Sequence, residues 1–365
     1  MELLPDCPTY GGIGIPHSAA ACNGSRRARP AGGAPASARP RRDRAAAGKY
    51  HSRVLRPRPA RSSAASKSPR PAWLALAACG VATPALAAGL LPLGVELRAR
   101  AFVPGEPLRI EVTAPEPLAH VEGAFLGRHV SLVRAAGQAT GGERWSGWTM
   151  IALDQPPVVG VLEIQGRSAA GRPVGATRAV TVGAASFPRE TLSVAPSYVE
   201  PPPAVVARLE RERRKLEAVY RSRRAVPLPE HVFLRPVPGE LTSVFGTERI
   251  YNGQRRSPHP GIDLRAASGT AVRCSGAGRA VLAEELYYSG NTVIVDHGAG
   301  LFTIYAHLSV ISVKEGAEVS AGQLIGSSGA TGRVTGPHLH WGAKLGELPF
   351  DPEALLDERL FAAGR

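Results

Sequence analysis

A mainly β chain, split into two β domains by one helix, is predicted by three observations. Short runs of alternating apolar residues recur between residues 95 and 182, with Gly- and Pro-rich turns between them. One stretch of helical periodicity and dense charge follows the prolines at 201–203. Strand-like runs and turn glycines then resume from Val226. Strands at such spacing build sandwiches or barrels, whereas a 3.6-residue apolar period builds an amphipathic helix.

In chain order the first element is a basic head. The 365 residues carry a net charge of +14, but residues 1–70 hold 14 Lys/Arg against 3 Asp/Glu, which leaves 30 basic and 27 acidic residues elsewhere. The rest is therefore nearly neutral, and the Arg/Ala/Pro-rich head reads as disordered. Its basic residues carry no interleaved aromatic ladder for stacking on bases, which argues against nucleic acid as a partner.

From Pro71 to Val95 there are 25 uncharged residues, preceded by Lys67 and Arg70 and containing the A-x-A site Ala85-Leu86-Ala87. Positive flank, apolar run and small-residue site make 71–87 a signal peptide. The positive flank stays inside, so the chain beyond residue 87 is exported. Met1 and Met150 are the only methionines, and we expect translation to start at a non-Met codon near Val54 or Leu55, with much of 1–53 an artefact of the assigned gene start. Two alternatives involve the membrane. Leu76-Ala77-Ala78-Cys79 resembles a lipoprotein processing site, which would lipidate Cys79, or the 71–95 segment is retained as an anchor. Of Cys7, Cys22, Cys79 and Cys274, only Cys274 survives cleavage at Ala87. No disulfide then forms within one chain, and Cys274 is expected as a small buried apolar residue.

The next element spans residues 94–184. Residues 95–102 alternate, with Val95, Leu97, Ala99 and Ala101 against Glu96, Arg98 and Arg100. Pro104-Gly105 makes a turn, and Leu108, Ile110 and Val112 alternate again. Further runs at 130–133, 148–153, 161–164 and 176–182 complete the pattern of an immunoglobulin-like β-sandwich. Trp145 and Trp148 read as core or edge packing. Residues 185–225 form a linker with a helix at about 203–222. Val205, Leu209, Leu216, Val219 and Tyr220 share one face of it, and Arg and Glu pair at i,i+3 and i,i+4 on the other. We read it as a spacer packed on one domain or both.

Residues 226–365 form a mainly antiparallel β domain, with strand runs at 279–282, 292–296 and 302–307 and alternating Val, Leu and Ile among turn glycines at 313–326. Five of its residues carry chemistry: His259 and Asp263 in SPHPGID, His307 in TIYAHLS, and His338 and His340 in TGPHLH. Two imidazoles and one carboxylate suffice for a catalytic zinc ion with a fourth position left for water. Two further histidines then remain for proton transfer and for stabilising developing charge. Pro260 and Gly261 exclude a helix between His259 and Asp263, and an extended strand sets residues four apart on one face. His338 and His340 share a face by the same rule. His307 ends a strand with Thr303 and Tyr305 on its side, so three strands could converge on one point. H-x-H and H-x-x-x-D are each weak signals alone, since most such histidines are structural; their combination within about 80 residues is what counts. His297, in VDHG, reads as a structural or rim histidine. No H-E-x-x-H occurs, which excludes a helical zinc-peptidase site.

From about Pro236 to Pro352 the chain resembles the M23 metallopeptidases, the lysostaphin/LytM-type peptidoglycan endopeptidases. The resemblance rests on LTSVFG, SPHPGIDL, GTAV, GNTVIVDHGAGLFTIYAHLS, VKEGAEVSAGQLIGSSGATGRVTGPHLHWG and PFDP. It implies a duplicated hybrid motif fold and one Zn2+ held by His259, Asp263 and His340. It implies catalytic roles for His307 and His338, and makes Tyr305 and Asn252 candidates beside the substrate groove. The implied reaction is hydrolysis of peptide cross-links or stems of bacterial peptidoglycan, in the periplasm or cell envelope, with a D,D-type cross-link favoured. The immunoglobulin-like domain would position the catalytic domain, cover its groove or bind a regulatory envelope protein. The competing readings are a non-catalytic M23-like activator or scaffold, which typically loses zinc ligands that are all retained here; a biotinyl- or lipoyl-type carrier, for which no modifiable lysine at a hairpin tip is evident; and a histidine phosphocarrier, which would be cytosolic and would not need Asp263 together with the H-x-H. A further competing reading is self-inhibition, in which the N-terminal region supplies a ligand to the zinc until it is removed.

Overall fold

The computed structural model describes residues 90–135, 142–222, 224, 229–255 and 258–361. The basic head, the signal segment and Cys79, with the expectations attached to them, lie outside these residues. No helix among the described residues is long and apolar enough to cross a membrane.

Eight strands build the first domain: β1 (Leu91–Pro92), β2 (Gly94–Arg98), β3 (Pro107–Ala114), β4 (Leu118–Phe125), β5 (Arg128–Arg134), β6 (Glu143–Met150), β7 (Val158–Ser168) and β8 (Pro173–Val182). They hydrogen-bond in the order β1-β8-β7-β4-β5-β6-β3-β2. The path folds over at β5, which pairs β4 up to Ser131 and β6 from Leu132 onward. Alternate residues of both halves, among them Ile110, Val112, Phe125, Ile164 and Val180, then meet in one core, which is how two sheet faces bury each other. The alternation expected through residue 102 stops at Arg98. Arg100 leaves the ladder to pair with Glu106 at 2.6 Å and with Asp351 of the second domain at 2.5 Å. β4 is a strand that the alternation does not announce, because a register shift between Leu118 and His120 breaks its period.

The linker supplies β9 (Arg189–Leu192) and α1 (Pro203–Arg221). Leu216, Val219 and Tyr220 of the helix pack on Leu282, Leu286, Ile294 and Phe302 of the second domain. Lys215 donates to Glu284 at 2.8 Å, and Glu212 accepts from the Tyr287 amide at 2.9 Å. On the solvent side Arg213 pairs with Glu210 and Glu217. The helix thus rests on the second domain, its apolar face set by the 3.6-residue period.

The second domain contains β10 (Leu241–Ser243), β11 (Glu248–Tyr251), β12 (Gln254–Arg255), β13 (Gly261–Arg265), β14 (Ala271–Arg273), β15 (Gly278–Leu286) and β16 (Gly290–Asp296). It continues with β17 (Leu301–Ile311), β18 (Glu318–Val319), β19 (Leu324–Ser328), β20 (His338–Leu345) and β21 (Leu348–Phe350). The main sheet runs β10-β13-β20-β17-β16-β15-β18, with β19 joining β17 to β14. A separate three-stranded sheet, β12-β11-β9, places the linker strand parallel to β11. The core behind the main sheet holds Ile262, Leu264, Val293, Tyr305, Leu339 and Trp341. Cys274 is buried in this core as a lone thiol, its Sγ 3.0 Å from the Gly276 carbonyl.

Trp148 and Met150 of β6 pack with Phe233, Phe350 and Phe361 in a cluster that joins the two domains. Trp148 therefore packs between domains, its ring 5.8 Å from that of Phe361. Gly105 marks another close approach: its φ is +89°, and a Cβ there would lie 2.6 Å from the Phe245 ring. Only glycine accepts both conditions.

Candidate metal centre and cleft

β13, β20 and β17 are consecutive neighbours in the main sheet, and their register brings the chemistry together. Asp263 stands opposite His340, and His340 stands opposite Ala306 on the other side. Period-two alternation sends Leu339 and Trp341 into the core, while His338 and His340 face outward. His259 lies just before β13, fixed by its amide on the Thr247 carbonyl and its carbonyl on the Gly246 amide.

His259 Nε2 lies 2.9 Å from His340 Nδ1, and Asp263 Oδ1 lies 3.1 Å from each of them. Among the described residues this is the group of three donors close enough to hold one metal ion. Tetrahedral ligands about 2.0–2.1 Å from zinc stand about 3.3 Å apart, so the triangle matches that ion. Its donor type, two imidazoles and one carboxylate, also matches. His259 Nδ1 donates to the Val244 carbonyl at 3.2 Å, which fixes the tautomer with Nε2 free as a ligand. Burial pushes the His259 imidazole down to about 4, so the ring is neutral and its lone pair available. Burial opposes ionisation of Asp263, but the His259 and His340 imidazoles packed against Oδ1 hold its carboxyl far below the usual range. Arg249 donates to Asp263 Oδ2, orienting the carboxylate so that Oδ1 faces the histidines.

His307 and His338 stand beside this triangle, with ring centroids 4.9 Å apart, and His307 is 6.0 Å from His340. His307 Nδ1 donates to the Thr331 carbonyl and His338 Nδ1 to the Gly336 carbonyl, both at 2.8 Å. Each ring therefore keeps Nε2 as the atom available to the cleft. Burial and the neighbouring His340 and His338 push the His307 imidazole down to about 3, leaving a neutral acceptor. His297, by contrast, is buried with both nitrogens engaged, Nδ1 on the Ala277 carbonyl at 2.8 Å and Nε2 on Thr303 Oγ1 at 2.7 Å.

Two expected residues lie elsewhere. Tyr305 is fully buried, its hydroxyl accepting from the Ser275 amide at 2.7 Å and from Thr303 at 3.0 Å. It does not share a face with His307, because His307 takes a left-handed φ of 63° at a register shift that reverses the alternation after Tyr305. Asn252 sits in the β11–β12 turn with φ 49°, and its side chain clamps both backbone groups of Val194 at 3.0 and 2.9 Å. It ties down the linker rather than facing the groove.

The cleft divides into two adjoining hollows. One of about 320 Å³ lies on the Asp263 and His338 side, and one of about 200 Å³ on the His259, His307 and His340 side. Arg249, Tyr251 and Arg333 line both. The linker contributes to the wall, since Glu190 of β9 accepts from Ser243 at 3.2 Å and lies 3.6 Å from Arg249. Arg249, Arg333 and Glu190 were missed from sequence. The available signal for Arg333 was a lone cation in the Gly/Ser/Thr-rich run that leads into the H-x-H.

A β domain that sets two histidines and an aspartate around one point, with two more histidines beside it, defines a mononuclear metallohydrolase-type site. Residues 257–352 match the family model described as peptidase family M23. A Pseudomonas aeruginosa chain of known crystal structure, assigned to the same peptidase family, is 30% identical and superposes with a TM-score of 0.52 over 70% of this chain and 95% of its own. The chain described here belongs to peptidase family M23. Over 102 residues it is 47% identical to the peptidoglycan DD-endopeptidase ShyA of Vibrio cholerae serotype O1, covering 28% of this chain and 24% of that protein. Over 94 residues it is 45% identical to the DD-carboxypeptidase/endopeptidase Mpg of Neisseria meningitidis serogroup B, covering 26% and 22%. The match thus spans about a quarter of the length of these relatives.

Proposed function

We propose that this chain is a zinc-dependent endopeptidase that hydrolyses the peptide cross-links of bacterial peptidoglycan. The observation that carries the reading is the triangle of His259, Asp263 and His340 donors at 2.9–3.1 Å with two histidines beside it that keep Nε2 open. When bound, zinc supplies the Lewis acidity that makes water a nucleophile near neutral pH. One of His307 and His338 accepts the proton of the attacking water at Nε2. Once protonated, that ring donates to the oxyanion that develops on the scissile carbonyl and then passes the proton to the leaving amine nitrogen. Their Nδ1 bonds to fixed carbonyls hold the rings in place through both stages.

A D,D-type cross-link is the bond we favour, supported by the activities named for the Vibrio and Neisseria relatives. The test is digestion of purified cross-linked peptidoglycan by the purified chain, with mass spectrometry of the products and zinc measured in the same sample. Cross-linked dimers resolved to monomers, and arrest by a chelator, are the expected results. A zinc-loaded protein that leaves dimers intact would sink the reading.

Export to the periplasm or envelope is the setting we propose, supported by the uncharged run and A-x-A site at 71–87; retention of that run or lipidation at Cys79 would place the chain on the membrane. The immunoglobulin-like reading of the first domain is supported by its strand order, β2-β3-β6-β5 on one side and β4-β7-β8 on the other. A regulatory envelope partner on that domain is part of the same proposal, and a pull-down with the first domain as bait tests it.

A further inference from the structure

Arg333 is the cation of the cleft that the metal centre leaves unused. Arg249 is engaged by Asp263 and Glu190, and Arg265 lies 3.4 Å from Glu240 near the rim. Arg333 is held differently. Its guanidinium lies 4.3 Å from the Tyr251 ring centre and 4.9 Å from that of Tyr288, between the two cleft walls. Ring contacts of this kind fix the plane of a guanidinium and leave its N–H donors free. Among the described residues no Asp or Glu pairs with it, and its side chain makes no hydrogen bond.

The backbone sets this position firmly. The Arg333 amide donates to the Tyr288 carbonyl at 2.8 Å. Gly332 has φ +75°, and a Cβ there would lie 2.4 Å from the Gly290 nitrogen, so the loop is pressed against the 288–290 turn. Two residues before Arg333, the Thr331 carbonyl receives His307 Nδ1. One short loop therefore orients a proposed proton acceptor and presents a free guanidinium into the same 200 Å³ hollow as His259, His307 and His340.

We infer that Arg333 is a specificity-determining residue that binds a free carboxylate carried by the substrate beside the scissile bond. A guanidinium held against two aromatic rings with its N–H donors unpartnered among the described residues can match a carboxylate through two parallel N–H···O bonds. The amine side of a D,D cross-link carries such a carboxylate one carbon from the scissile nitrogen, whereas a glycine bridge offers none within its chain. The inference rests on the hydrolytic reading above and narrows its substrate class.

The test uses the full chain and two synthetic cross-linked peptides, identical except that the carboxylate beside the scissile nitrogen is free in one and a carboxamide in the other. We expect wild type to prefer the acid over the amide in kcat/KM by about tenfold to a hundredfold, the range for a charge-assisted pair. Arg333→Met should bring that ratio to about one, and Arg333→Lys should restore part of it. A wild-type ratio near one, or a ratio that Arg333→Met leaves unchanged, overturns the inference. The ratio is insensitive to a general loss of folding or of metal, which lowers both rates together. Binding of both peptides is measured in parallel by calorimetry. If wild type cuts neither peptide, the hydrolytic reading falls, and the acid-to-amide ratio of binding constants then decides Arg333 by the same criterion.

Discussion

Behind β17, His297 and Tyr305 have their polar atoms bound to neighbours within the core. In front of it, His307 and His338 hydrogen-bond among the described residues only through Nδ1, each to a backbone carbonyl, and His338 Nε2 lies 3.6 Å from Asp263 Oδ1. The rings are alike, and His297 and His307 are both pushed down by burial, to about 4 and about 3. Burial and a lowered pKa therefore do not separate a working histidine from a structural one. A ring nitrogen that faces the cleft does, because a proton is exchanged with substrate or water only at an atom within their hydrogen-bond reach.

The sharpest way to break this contrast is to remove a donor of the triangle. His259→Ala or Asp263→Ala should bring zinc content, read by elemental mass spectrometry, from about one to near zero, and activity to background. Next in size, His307→Ala and His338→Ala should keep the metal and lower kcat by about 10²- to 10⁴-fold, as removal of a proton-transfer group does. A variant that also loses its zinc would make that histidine part of the metal set. Arg249→Met removes the bond that orients Asp263, and we expect about a 10- to 100-fold weaker hold on zinc in a chelator competition.

The smallest effect lies on the core side. His297 has an unfolded value near 6.5 and a folded value of about 4, so the unfolded chain binds the extra proton between those limits. Stability from this residue is present above pH 6.5 and is lost as pH falls towards 4, by about 2 kcal/mol between pH 7 and 5. His297→Leu should cost about 1–3 kcal/mol at pH 7, because Thr303 and the Ala277 carbonyl lose a partner. It should also flatten the acid slope. Urea melts at pH 7 and 5 measure both, and an unchanged slope would show that His297 is not its source.

Much of this contrast was legible in the sequence, for reasons that can be located. Period-two spacing brought His338 and His340 to one face and Leu339 and Trp341 to the other, as an extended strand must. The VDHG context of His297 read as structural, and it is. Tyr305 failed because the same rule was carried through a bulge: the left-handed φ at His307 turns the strand over, and no residue type at that point announces it. Asn252 failed because its partner, Val194, lies 58 residues away in the linker. Arg249 and Arg333 were hidden for the same reason, since their roles depend on neighbours brought in from other loops.

The linker strand has a bearing on where this protein can be cut. Family-matched residues begin at 257, yet the wall of the cleft starts at Arg189, where β9 pairs with β11 and Glu190 reaches Ser243 and Arg249. A module excised at residue 226 would bare one edge of β11 and leave the Asn252 clamp without Val194. Exposed edges of that kind invite pairing with foreign chains. The portable unit in a domain exchange is therefore longer than its sequence signature, and a fusion partner should be joined ahead of residue 189.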